Sequence, residues 1–195
     1  MTGAERVGLE ISWLNLTRLI AELARRGAGQ REAGAFLLAP RETVGTAAQG
    51  ARPRVAAVAY YDDLDPKSLT GGITFGAAGY SALNAYCRAH RMRVVGDIHT
   101  PPGSWVGQSA IDAAHPMSAV KGHVAIIAPN YGRGRIRFSD LGIHVFNAPG
   151  WTSHFHHDVQ SIIATTGSAT IARIVTKLRT VADMTYTVLR KWSAR

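Results

Sequence analysis

The stretch Val95-Gly-Asp-Ile-His99-Thr-Pro101-Pro102-Gly-Ser-Trp-Val-Gly-Gln-Ser109-Ala-Ile-Asp112 gathers an imidazole, a serine and a carboxylate around one strand-to-loop junction. Neutral imidazole and carboxylate are donors that a catalytic zinc accepts, three from the protein and one position left for water. Upstream, Arg31-Glu32-Ala-Gly-Ala-Phe-Leu-Leu38 sets a second carboxylate at the head of an apolar run. Each group also has a plainer reading. Ser109-x-x-Asp112 is a capping box at a helix start, where serine accepts from a backbone amide and the acid reaches back. His99 alone is a polar group closing a strand, and Glu32 alone a solvated charge before one.

Taken together, these positions resemble the JAMM (JAB1/MPN/Mov34) metalloproteases, of the bacterial JAB-domain type. The family pattern is His-x-His-Pro, a six-residue spacer, then Ser-x-x-Asp; here His99, Pro102, Ser109 and Asp112 fall in register. Pro101 stands where the second zinc histidine belongs. The family also carries a glutamate at the start of a strand just after the first helix, and Glu32 occupies that place, so the matched motifs span Glu32 to Asp112. The resemblance implies a zinc-dependent isopeptidase or peptidase acting on ubiquitin-like modifier conjugates or precursors. His99 and Asp112 would be Zn2+ ligands, Glu32 the general base and Ser109 the oxyanion stabiliser. It further implies a mixed α/β fold, JAB1/MPN-like and cytidine-deaminase-like, with a central mixed β-sheet flanked by helices and a long C-terminal helix.

Proline cannot ligate zinc through its ring, so His99 and Asp112 leave the site one protein ligand short and zinc weakly held or absent unless another group substitutes. Asp97 lies two residues before His99 on the same strand face and could complete a triad with Asp112. His115 follows Asp112 by one helical turn. His154, His156 and His157 form a further cluster whose alternate members a strand would aim together. The alternative to an enzyme is a JAMM-fold binding module that holds a ubiquitin-like protein or an assembly partner without cleaving it.

Stepping outward along the chain, Leu16, Leu19, Ile20 and Leu23 repeat at helical spacing and predict a first helix over Ser12 to Arg26, closed by Gly27. Ala33 to Ala39 and Val55 to Tyr61 read as short buried strands, and Ile73 to Phe75 as a brief strand inside the glycine-rich stretch Leu64 to Gly79. Tyr80 to Arg91 reads as a helix with Leu83, Tyr86, Cys87 and His90 on one stripe. Met92 to His99 is the strand that carries the chemistry. A short helix from Ser109, a strand over His123 to Ala128, a hairpin through Asn130 to Gly134 and a strand over Leu141 to Phe146 follow. The long terminal helix shows the stripe Ile171, Ile174, Val175, Leu178 and Val181. The nearest candidate boundary in an otherwise single domain is the Asn147 to Trp151 turn, with a helical extension from about 151 to 195.

The 195 residues carry 22 Lys+Arg against 13 Asp+Glu, a formal charge of +9. Arg133, Arg135 and Arg137 alternate as one strand face would place them, but no nucleic-acid fold signature accompanies them, and a solvated basic surface is expected. The single cysteine, Cys87, gives no sign of an oxidising compartment and sits on an apolar stripe as a structural thiol. No apolar stretch is long enough to span a bilayer and the first residues do not form a secretory signal, so the expected location is cytoplasmic. A nucleophile elbow and a phosphate-binding glycine loop are both missing from the sequence.

Overall fold

The computed structural model describes residues 7–41, 51–69 and 73–165. The first strand, β1 (Leu9–Glu10), leads into helix α1 (Trp13–Gly27). Ser12 caps α1 by accepting from the Asn15 amide at 3.3 Å, and Leu16, Leu19, Ile20 and Leu23 are all buried as their spacing requires. The left-handed residue that ends the helix is Ala28 (φ 53°), not Gly27. Gly27 is the last helical residue, and Ala33 packs beside it.

Strands β2 (Gly34–Pro40) and β3 (Ala57–Tyr60) follow, then the single turn α2 (Tyr61–Leu64), helix α3 (Ala77–Ala89) and strand β4 (Met92–His99). Next come α4 (Ala110–Ala114), β5 (Val124–Ile127), β6 (Gly142–Phe146), β7 (Trp151–Phe155), α5 (Val159–Ile162) and β8 (Ile163–Ala164). One mixed sheet runs in the order β3-β2-β4-β5-β6-β7, with β4 and β5 parallel and the other pairs antiparallel, and β1 pairs with β8 separately. Helices cover both of its faces. Ala35 and Leu37 of β2 join α1 in one apolar cluster, whereas Phe36 and Leu38 join Leu83 and Cys87 of α3 in the other. Burial on both sides explains the unbroken apolar run of β2. Arg26, whose side chain is 7% exposed, bonds Glu22, Asp62 and Asp63 and lies 3.8 Å over the Tyr60 ring, fastening α1 to α2.

Several expectations are corrected. The strand read as Val55 to Tyr61 begins at Ala57, and Tyr61 opens a helical turn, its ring filling the space above Gly34, where a Cβ would lie 2.3 Å away. Ile73 makes only an isolated bridge to Leu69, and α3 starts at Ala77, with Gly79 helical beneath the Phe75 ring. Leu83 and Cys87 of its stripe are buried, while His90 is exposed. Asn130 to Gly134 is not a hairpin: Asn130 and Tyr131 adopt left-handed conformations in a 3-10 turn, and the arginines after it lie in irregular chain, not on a strand face. The Asn147 to Trp151 turn joins two paired strands of the same sheet and marks no boundary. Residues 151–164, read as the start of a helical extension, instead form β7, a 3-10 turn, α5 and β8. The helical stripe from Ile171 onward lies outside the described residues.

Candidate functional site

Strand β4 carries a β-bulge that decides what its end can do. Leu37 pairs with Gly96 but Leu38 with Val94, so Val95 is the extra residue. Val94 packs in the α3 cluster and Val95 in the α1 cluster, and beyond the bulge Ile98 returns to the α1 side. Asp97 and His99 therefore project from the face opposite α1, as bulges beside functional sites commonly re-aim side chains. The same register pairs Gly34 with His99, which brings Glu32, two residues before Gly34 and on the same face, alongside His99.

These groups line one cavity of about 560 Å³. Glu32, Asp97, His99, Asp112 and His115 all reach it, together with Tyr61, Phe75 and Trp151. Its lining holds three carboxylates and neither lysine nor arginine, in a chain of formal charge +9, so its field favours a cationic group. Pro101 is absent from the wall, and its carbonyl accepts from the Tyr131 amide at 2.8 Å. Ser109 also stays out of it. The Ser109 hydroxyl lies 2.7 Å from Asp112 Oδ2 and must donate to it, while the Asp112 amide returns a bond to Ser109 Oγ at 3.1 Å. The capping box thus holds Asp112 in place and engages the serine proton that oxyanion stabilisation requires.

Asp97 is committed elsewhere. Its Oδ1 accepts from His123 Nε2 at 2.6 Å and its Oδ2 from the Tyr61 hydroxyl at 3.3 Å, all three residues being buried. A carboxylate with both oxygens engaged is a poor metal donor. Among the described residues no group of three or more His, Cys, Asp or Glu is placed to hold a metal ion. His99, Asp112 and His115, the last exposed at the end of α4, line the same cavity. The histidines at 154, 156 and 157 are not aimed together either, because β7 ends at Phe155 and the last two sit in a 3-10 turn.

Burial raises the Glu32 carboxyl above its ordinary value of 4.5, and the Asp112 charge adds to this, against the opposing pull of His99 and a backbone hydrogen bond from Ile73. A folded-state value above the unfolded one means the ionised form destabilises the fold at pH values above that raised value and has no effect below 4.5. Glu32→Gln is accordingly expected to raise the melting temperature at neutral pH and leave it unchanged in acid; an equal shift at both would show that charge is not the cause.

His144 is a participant that the sequence reading missed. Buried in β6, it donates from Nε2 to the Val106 carbonyl at 2.9 Å, so Nδ1 accepts from the Ser153 hydroxyl at 2.8 Å. Burial lowers its imidazole below the ordinary value and the nearby His99 adds to this, which keeps it neutral. It pins the Trp105 to Gly107 loop beside the cavity. Gly142 lets that loop press onto β6, since a Cβ there would meet the Val106 carbonyl at 2.0 Å. A polar residue between Ile143 and Val145 in an otherwise apolar strand was the available signal.

Buried Cys87 fits the expected structural thiol, its acidity weakened by desolvation. No helix among the described residues is long and apolar enough to cross a membrane.

No family model matches the chain. A protein of Desulfitobacterium hafniense, solved in solution, is similar at a TM-score of 0.52 with 15% identity, over 82% of this chain and 94% of that one. A Salinibacter ruber protein, also solved in solution, aligns at a TM-score of 0.44 with 18% identity, over 78% of this chain and 91% of the other. The first likeness is one of fold: a mixed α/β domain whose central sheet is flanked by helices.

Proposed function

We propose that this chain is a JAMM-type scaffold acting as a binding module, which holds a ubiquitin-like protein or its conjugate at the Glu32–His99–Asp112 cavity without cleaving it. The observation that carries the reading is the combination at that cavity. Glu32, His99 and Asp112 meet there from three separate elements, as the resemblance requires, yet Pro101 stays out of the wall and Asp97 is spent on His123 and Tyr61. In this reading the family's outline is kept while the histidine expected at position 101 is missing and Asp97 does not replace it. Its carboxylate-rich, aromatic lining suits a lysine-bearing segment, the acceptor side of an isopeptide-linked conjugate.

The test is the metal content of the purified chain. Well under one zinc per chain is expected, with no recovery after incubation with zinc and removal of the excess. Stoichiometric zinc would overturn the binding-module reading in favour of the zinc isopeptidase. One observation favours that second reading: His115 lines the same cavity on an exposed helix end, free of the commitments that hold Asp97. His115→Ala abolishing such zinc would identify it as the third ligand.

A further inference from the structure

A second cavity, of about 430 Å³, lies on the other side of the Trp105 loop. Arg133, Arg135, Trp105, Phe155 and His156 line it, with Asp140 in the same wall. Among the described residues neither arginine is in an ion pair, whereas Arg25, Arg26 and Arg54 each have a carboxylate partner. Asp140 accepts from the Arg137 amide at 2.7 Å, which occupies part of its charge. Trp105 is 64% exposed and Phe155 37%, so apolar surface stands beside the guanidinium groups.

The turn that presents the arginines is held in place, and Arg133 packs on Gly29. The left-handed residues Asn130, Tyr131 and Gly132 form the turn before Arg133, and amides of that turn bond the carbonyls of Gly103 and Pro101, at 2.8 Å each. Gly29, at φ +65°, leaves the space that Arg133 fills: a Cβ there would lie 2.8 Å from both its Cδ and its Nη1. Fixing the stem lowers the entropy lost when a guanidinium grips a partner.

We infer that this cavity is a binding site for an acidic peptide segment, with carboxylates taken by Arg133 and Arg135 and a neighbouring apolar side chain laid on Trp105 and Phe155. Guanidinium forks match carboxylates in paired hydrogen bonds. Single-stranded nucleic acid is the weaker fit, because two arginines beside an aspartate cannot track a run of phosphates, and affinity for nucleic acid grows with the number neutralised. Neither arginine lines the first cavity, so this inference stands apart from the function proposed for it.

The probe is a fluorescein-labelled peptide of alternating glutamate and leucine, followed by anisotropy at about 0.15 M salt, where diffuse attraction is screened beyond about 8 Å. Loss of two charge-assisted contacts in Arg133→Glu with Arg135→Glu is expected to weaken binding by about tenfold or more. The equally charged Arg88→Glu with Arg93→Glu, at exposed positions outside the cavity, is expected to stay within about twofold. Equal losses in both pairs, or no binding by the parent chain, would overturn the inference. So would an oligothymidylate that binds more tightly than the peptide and is lost with the Arg133 and Arg135 changes. Should circular dichroism show that pair unfolded, Arg135→Gln alone is read instead: about threefold weakening supports the site, and unchanged affinity removes it.

Discussion

Pro101→His is expected to raise zinc affinity by about a hundredfold or more. A four-ligand zinc site of roughly 12 kcal/mol gives about 3 kcal/mol per ligand, or about two decades in Kd. The substitution leaves the local main-chain bonding intact. Thr100 is fixed by its amide and hydroxyl bonds to Ala33, at 3.0 and 3.2 Å, and the Pro101 carbonyl accepts from Tyr131 at 2.8 Å, neither of which the substitution removes. His99 and Asp112 already line the cavity, with Glu32 beside them. Competition against a zinc chelator measures the gain. Metal drawing on the Asp112 carboxylate would release the Ser109 hydroxyl, so hydrolysis of a ubiquitin-like fusion is expected to appear with it, and to vanish again when Glu32→Gln is added. Zinc affinity unchanged by Pro101→His would show that position 101 does not reach the metal position, and the JAMM reading of this cavity would fall with it.

The second large effect is on stability. Asp97→Ala leaves the His123 Nε2 and Tyr61 hydroxyl donors buried without an acceptor, beside a His123 Nδ1 that already has no partner among the described residues. Each buried donor left unsatisfied costs about 1–3 kcal/mol, so the loss of both is expected to cost about 2–5 kcal/mol. That is a large share of a typical domain's stability of about 5–15 kcal/mol. Urea unfolding should show it as a fall in the midpoint, and Asp97→Asn, which keeps an amide oxygen as acceptor, should lose about half as much. A loss below about 1 kcal/mol for Asp97→Ala would mean the pair contributes little beyond its replacement by water. In the Pro101→His background, Asp97→Ala should leave zinc affinity nearly unchanged, which separates a structural carboxylate from a ligand.

Much of this architecture is local and therefore legible along the chain. Leu16, Leu19, Ile20 and Leu23 define α1 by their spacing, and Ser12 caps it. The boundaries of β4 agree with its apolar run, and Ser109 and Asp112 form the expected capping box at the start of α4. These features depend on residues within one or two turns of each other, where periodicity and capping chemistry act. Boundaries that rest on close packing were misplaced: β3 stops at Tyr60, with the Tyr61 ring over Gly34, and α3 begins at Ala77, with Gly79 beneath Phe75.

The site divides in the same way. The sequence by itself names Glu32, His99 and Asp112 as the groups able to do chemistry, because their types and spacing follow a known pattern, and it shows Pro101 as the gap. That Glu32 stands beside His99 is decided by the pairing of β2 with β4 across a bulge at Val95, a long-range register that no local signal encodes. Two further groups have partners that no local pattern shows. Asp97 shares His99's face, as alternation predicts, but His123 and Tyr61 reach it from elsewhere in the chain and take both its oxygens. Ser109 holds the expected position, but its one proton goes to Asp112. A side chain's type is written in the sequence; which partner takes its few hydrogen-bonding valences is settled only when distant segments pack together.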